Sequence, residues 1–238
     1  MVSYRELPAP GSLRDLAECV WVTDAADSGR ILPDGCMDLI AMNGTVVIAG
    51  PDTVAYLSEP TWGAATGIRF RPGALPRLLG VPASHFHGAR IALDAVRPET
   101  AGRSLMAATK TMLGGEAGTE AAPWPVSQLA HVTSRFAAGA SVRSVADEIG
   151  CSARSLQRQC GAVYGYGPAT LRRILRFRRA VDLLRAGRPV ADTAHAVGYA
   201  DQAHLSRQVS ALAGITASQL ASGANRSTEV PSGSSTVA

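Results

Sequence analysis

At 238 residues, with 46% hydrophobic and 18% charged residues, the chain is long enough for two modest domains with a real core and is not disordered overall. It has no run of about eighteen apolar residues and no apolar N-terminal stretch of signal-peptide type, so membrane spanning and secretion are not expected and the cytoplasm is the expected compartment. Cys19, Cys36, Cys151 and Cys160 are scattered without CxxC spacing, which argues against a zinc site or a disulfide framework and leaves Cys151 and Cys160 as small core residues.

In chain order, residues 1–113 read as an α+β domain. Ser12 is placed to cap a short turn through Leu16, and Cys19-Val20-Trp21-Val22-Thr23 has strand character. The clearest local pattern is Met37 to Met42, then Asn43-Gly44, then Thr45 to Ala49. Asn-Gly takes the positive φ angles of a type I′ turn and β-branched residues flank it, so a hairpin is predicted. Further strands are predicted at Thr53–Leu57 and Ala65–Phe70, a short helix at Pro72–Leu79, and helical spacing runs from Arg97 to Met112 through Leu105 and Ala108. Asp34, Asp38, Arg69 and Arg71 either line a pocket or make turns and ion pairs around a sheet edge; the second reading is favoured. His85 and His87 form an HxH pair, but the other histidines lie in the helical half and no nearby Glu or Cys completes a ligand set, so no metal site is expected.

Residues 114–123, rich in Gly and Ala, read as a linker between domains. Residues 222–238, rich in Ser, Thr, Gly and Pro, read as a disordered tail. Between them one pattern is written twice. Val142, Val145, Ala146 and Ile149 fall at i, i+3, i+4 and i+7, Gly150-Cys151-Ser152 interrupts, and Leu156 and Arg158 follow in a second helix. Val190, Thr193, Ala194 and Val197 repeat the spacing, Gly198-Tyr199-Ala200-Asp201 interrupts, and Leu205 and Arg207 follow. A helix, a Gly-containing turn and a second helix opened by a Ser or Asp cap is how a helix-turn-helix reads in sequence. A helix at Val126–Ala138, burying Val126, Leu129, Thr133 and Phe136, precedes the first copy. A long helix opened by Pro168 and closed by Gly187 and Pro189 joins the two. It has a buried stripe of Leu171, Ile174, Leu175, Val181 and Leu184 and a basic side of Arg172, Arg173, Arg176 and Arg179. That basic side is either a phosphate contact or a solvated face.

Gly198-Tyr199-x-Asp201-Gln202-x-His204-Leu205-x-Arg207 with Gly214-Ile215-Thr216 resembles the second-motif pattern of the AraC/XylS transcription regulators. Gly150-Cys151-Ser152, Leu156-x-Arg158 and Gly165-x-Gly167-Pro168 fit its shorter counterpart. The resemblance covers about residues 124–221 and implies an all-α tandem helix-turn-helix domain of homeodomain-like build. Cys160 and Val209 stand where the family usually has Phe, Ala217 where it often has Pro, and Gln219-Leu220 where an aromatic-Arg ending is frequent. Leu32 to Leu39, Ala49-Gly50-Pro51 and Gly67 to Gly73 are similar to the small N-terminal domain of some such regulators from high-GC bacteria, a likeness that carries no ligand with it.

From Val126 to Leu220 there are twelve Arg against five Asp plus Glu, so the overall net charge of +4 divides into +7 here and −3 elsewhere. Such a local excess is the electrostatic footprint of a nucleic-acid binder. In the first recognition helix Leu156, Cys160 and Val163 face inward, leaving Arg154, Gln157, Arg158 and Gly161 outside. In the second, Leu205, Val209 and Leu212 face inward, leaving Gln202, Ala203, Ser206 and Arg207 outside. Arg suits guanine and Gln suits adenine, and the resemblance implies DNA contacts at Arg154, Gln157 and Arg158; a solvated face is the alternative, and for Arg207 a phosphate contact.

The sequence reading is therefore a sequence-specific transcription regulator with a sensor or dimerisation domain. It binds double-stranded promoter or operator DNA, and the further partners such a regulator admits are RNA polymerase, a small-molecule effector and a second copy of the chain. No catalytic motif is present and no cofactor is expected. The alternative is an architectural or repair-associated DNA-binding protein without ligand-responsive regulation.

Overall fold

The computed structural model describes residues 4–24, 29–58, 64–115, 120–222 and 229–230. The N-terminal part is built on a six-stranded antiparallel sheet. Its strands are β1 (Tyr4–Pro8), β2 (Ala17–Thr23), β4 (Met37–Met42), β5 (Thr45–Ala49), β7 (Ala65–Phe70) and β8 (Arg90–Ala92), in the order β1-β2-β7-β4-β5-β8. A smaller sheet joins β3 (Arg30–Ile31) to β6 (Tyr56–Leu57) and, in parallel, to β9 (Glu229–Val230). The hairpin forms as the Asn-Gly pair requires: Met42 pairs with Thr45, with φ of 49° at Asn43 and 77° at Gly44.

Alternation along the strands sorts two faces. Leu39, Ile48, Ile68 and Phe70 are wholly buried on one, beneath α1 (Leu75–Leu79), α2 (Leu93–Val96) and α3 (Leu105–Leu113). Trp21, Asp38 and Arg69 lie on the other. The strands β1 and β8 escape the sequence reading because Tyr-Arg-Glu-Leu-Pro and Arg-Ile-Ala are short, polar edge segments. The strand expected at Thr53–Leu57 shrinks to β6. Helix α3 starts only at Leu105, since Pro98–Thr100 forms a 3₁₀ turn and the helix opens at the Ser104 cap. The turn at Gly11–Leu13 follows Pro10 and has no side-chain cap, so Ser12 does not play the part expected of it.

The C-terminal part is all helix: α4 (Val126–Ala137), α5 (Val142–Glu148), α6 (Ala153–Tyr164), α7 (Pro168–Arg185), α8 (Val190–Ala196), α9 (Gln202–Ala213) and α10 (Ala217–Ser222). Serine or aspartate opens α5, α6 and α9: Ser141, Ser152 and Asp201 accept from the backbone N–H of Ser144, Ser155 and His204 at 3.0, 3.1 and 2.6 Å. Helix α10 has a capping box in which Thr216 Oγ1 accepts from Gln219 N–H and Gln219 Oε1 accepts from Thr216 N–H.

Besides a small cluster of Cys19, Trp21 and Ala65 on the sheet's other face, two large apolar clusters divide the described residues, and the division falls inside α7. One runs without interruption from the sheet through α4, α5 and α6 to Leu175; the other begins at Phe177 and takes in α8, α9 and α10, with Leu32 inserted from the N-terminal part. Residues 116–119 of the expected linker, and residues 223–228 and 231–238 of the expected tail, lie outside the described residues. Ala121, inside the expected linker, and Trp124, just past it, are buried.

Candidate DNA-binding surface

The two helix-turn-helix units are assembled by the spacing read from the sequence. In the first, Val145 and Ala146 of α5 are buried against Leu156, Cys160 and Val163 of α6 and against Leu129, Val132 and Phe136 of α4. Val126 and Thr133 are only half-buried, and Thr133 instead exchanges a 2.8 Å hydrogen bond with the Tyr164 hydroxyl. In the second, Thr193, Ala194 and Val197 pack on Leu205, Val209 and Leu212. Cys160 and Val209, smaller than the Phe of the resembled pattern, are both fully enclosed. Burial pushes the Cys160 thiol up to about 12, so it stays a neutral core group. Cys151 is half-buried.

With those residues inside, Arg154, Gln157 and Arg158 are exposed together on α6, with Gly161 half-buried one turn on. Gln202, Ala203 and Arg207 are exposed on α9, with Ser206 half-buried beside them. Arg154, Arg158 and Arg207 make no side-chain hydrogen bond or ion pair among the described residues. Their charge is left for a partner. Gln157 behaves differently: its amide lies back across the turn after α6, where a side chain on Gly167 would overlap it.

The basic side of α7 is more structured than the sequence suggests. Arg172, Arg176 and Arg179 donate to the carbonyls of Gly139, Gly198 and Ala137 at 2.9, 3.3 and 3.3 Å, at the C-terminal ends of α4 and α8. There a positive charge complements the helix dipole. Arg176 also lies 4.2 Å over the Tyr199 ring, and Tyr199 meets His204 of α9 edge to face at 5.1 Å. Arg178, one residue from this face, is half-buried and held instead in a two-pronged ion pair with Glu18, at 2.6 and 2.9 Å.

In the N-terminal part the structure brings Asp34, Asp38 and Arg69 together and leaves Arg71 apart, donating to the Arg14 carbonyl. Arg69, 2% exposed, lies 3.2 Å from Glu6, 3.5 Å from Asp34 and 3.7 Å from Asp38. Ion pairing is thus the observed chemistry, but in the middle of the sheet and not at its edge, because β7 and β4 are the two central strands. Burial pushes the Asp38 carboxyl up to about 6 against the pull of Arg69 and of the Trp21 indole N–H, 2.7 Å away. The adjoining cavity, walled by Asp34, Asp38, Asp52 and Arg90, measures about 50 Å³ and has room for little more than water. A second cavity of about 340 Å³ lies between the two parts, with an apolar floor of Pro72, Val126, Leu129 and Leu175 and a rim that includes Arg71 and Asp182. Sequence spacing holds no trace of it. His85 and His87 belong to no group of three or more metal-ligating side chains among the described residues. No helix among the described residues is long and apolar enough to cross a membrane.

Residues 145–222 match a family model described as a helix-turn-helix domain, and residues 5–92 match one described as a domain of unknown function, DUF6597. No curated protein matches the chain. Similar solved structures include ToxT from Vibrio cholerae O395, at 9% identity over 92% of this chain and 96% of that one, with a TM-score of 0.42. The same protein bound to (E)-4-(8-methylnaphthalen-1-yl)but-3-enoic acid gives 9%, 92%, 97% and 0.45. ToxT from Vibrio cholerae strain SCE256, bound to an unsaturated fatty acid, gives 9%, 93%, 94% and 0.42.

Proposed function

We infer that this chain, whose residues 145–222 match a helix-turn-helix domain and carry the AraC-type pattern, is a transcription regulator that reads one asymmetric DNA site with both of its recognition helices. The observation that carries this reading is the pair of capped helices α6 and α9, each with a buried apolar side and an outer face whose arginines are unengaged within the described protein. Arg154, Gln157 and Arg158 form one reading head; Gln202, Ala203, Ser206 and Arg207 form the other. The connecting helix α7 has 18 residues and so spans about 27 Å. With the turns at its ends it matches the roughly 34 Å between successive major-groove segments on one face of the duplex.

The N-terminal part acts as the sensor. The 340 Å³ cavity receives a small-molecule effector, because its walls come from both parts of the chain and its volume is in the range of small-molecule sites. Occupancy there bears directly on α4 and α7.

Genomic fragments bound by the purified chain at a stated salt concentration, once sequenced, test the reading. Two blocks of base preference about ten base pairs apart are expected. Arg154→Ala or Gln157→Ala costs about 1 to 3 kcal/mol at the selected site and relaxes preference in one block. Binding without any preferred sequence, vanishing as salt rises, overturns base reading and favours an architectural role.

A further inference from the structure

The outer face of α7 and the C-terminal turns of α4 and α8 wall an open groove of about 660 Å³. Arg172, Arg173, Arg176 and Arg179 line it, with His195, and its described walls include no Asp or Glu. Four positive charges therefore share one concavity without a countercharge. The hydrogen bonds to Gly139, Gly198 and Ala137 fix three of these guanidinium groups in place while using one nitrogen of each. The Nε atoms of Arg172, Arg173 and Arg176 are buried and have no hydrogen-bond partner among the described residues. Charge that is held still by the protein but not neutralised by it suits a phosphate, since the ordering entropy of the long side chains is already spent.

The location selects the occupant. Gly139 lies in the turn between α4 and α5, and Gly198 in the turn between α8 and α9, so the groove is walled by both helix-turn-helix units and by the helix that joins them. A duplex lying along both heads carries its sugar–phosphate backbone past this point. We propose that the groove seats the DNA backbone between the two major-groove segments, which makes the connecting helix a third, sequence-independent anchor as well as a spacer. The proposal rests on the tandem reading given above.

Arg173→Gln is the test, because Arg173 donates to no carbonyl among the described residues, so its loss is expected to spare the fold. The probe is the duplex selected by the wild-type chain, alongside a scrambled duplex of the same length, with affinity measured across a salt series. The expected result is a loss of about tenfold on both duplexes and a salt slope lowered by about one. Neutral methylphosphonate linkages, placed one at a time between the two blocks, then weaken the wild type at one or two positions where the variant loses nothing further. An unchanged salt slope, a loss confined to one block, or equal methylphosphonate effects on both proteins overturns the proposal. Unchanged DNA binding with loss of an acidic protein partner does so too. If the wild type selects no sequence yet Arg173→Gln still lowers the slope, the tandem reading fails and the anchor stands. Two selected blocks with an unaffected variant give the reverse.

Discussion

Helix α6 ends in side-chain packing against the N-terminal part, whereas α9 ends in two hydrogen bonds from it. Val163 and Tyr164 close over Gly73, and Gly165 sits against Pro51 and Ala83. At the corresponding end of α9 the Leu212 carbonyl accepts from Ala55 N–H and the Ala213 carbonyl accepts from Arg30 Nη1, each at 2.7 Å. The first unit shares its core with the sheet; the second has a core of its own, entered from the sheet side by Leu32. Two near-copies of one motif are thus embedded differently. The first head is fixed to the N-terminal part by a shared core, and the second is tethered to it. On the proposed function, an effector bound between the two parts should change the angle of the second head more readily than that of the first.

The largest effect is expected where the two clusters meet. Arg178 and Glu18 pair at 15% and 10% side-chain exposure, in the turn of α7 between Leu175 and Phe177 on one side and Val181 on the other. Removing one partner of a largely buried pair leaves a charge uncompensated, at a cost approaching the roughly 3 to 5 kcal/mol of a fully buried one. Glu18→Ala should lower the midpoint of denaturant unfolding accordingly and split it into two transitions, the second unit melting first. A single transition at the wild-type midpoint would mean that the pair does not join the units.

Next comes Gly73, at a φ of 78°, where a β-carbon would stand 2.5 Å from Val163 Cγ1 and 2.9 Å from Leu129 Cδ1. Gly73→Ala combines a left-handed backbone with overpacking and should cost about 2 to 4 kcal/mol. It undocks α6 from the N-terminal part, so amide exchange should rise in α6 more than in α9.

How these residues read in the sequence follows from which interactions are local. The hairpin at Asn43-Gly44, the caps Ser141, Ser152 and Asp201, and the buried stripes of α6, α7 and α9 were legible because each depends on neighbours within about four residues. So were the exposed faces bearing Arg154, Arg158 and Arg207. The distance from Gly73 to Val163, from Glu18 to Arg178 and from Arg30 to Ala213 is set by tertiary packing, and no spacing rule reaches it. Gln219, which departs from the resembled pattern, turned out to close a capping box. The linker reading hid a continuous core, since a Gly-rich stretch reports backbone freedom and not what the flanking Trp124 packs against.

Arg30→Ala addresses the tether directly. A charged donor lost from the Ala213 carbonyl costs about 1.5 to 3 kcal/mol at most, and the fold should survive, because Leu32 and the Ala55 bond remain. The readout is the selected DNA. The block assigned to α9 should blur while the block assigned to α6 keeps its preference. Equal blurring of both blocks would show that the heads are not independently held.

The smallest effect separates the units by pH. Glu148, at the end of α5, accepts from Arg135 at 2.7 and 2.9 Å, from Ser144 at 2.9 Å and sits 3.0 Å from His131, so it fastens α5 to α4. The matching position in the second unit is Ala196, which offers nothing comparable. Hydrogen bonding from Arg135, then from Ser144, holds the Glu148 carboxyl down at about 2. A carboxyl depressed on folding contributes stability that is fully present above the ordinary glutamate range, near 4.3, and lost as pH falls through about 2. Acidification across that window should therefore loosen α4 and α5, seen as faster amide exchange, beyond any change in α8. Glu148→Gln should remove this excess pH dependence and leave α8 as it was. If the variant and the wild type respond alike, the first unit owes its firmness to its shared core alone.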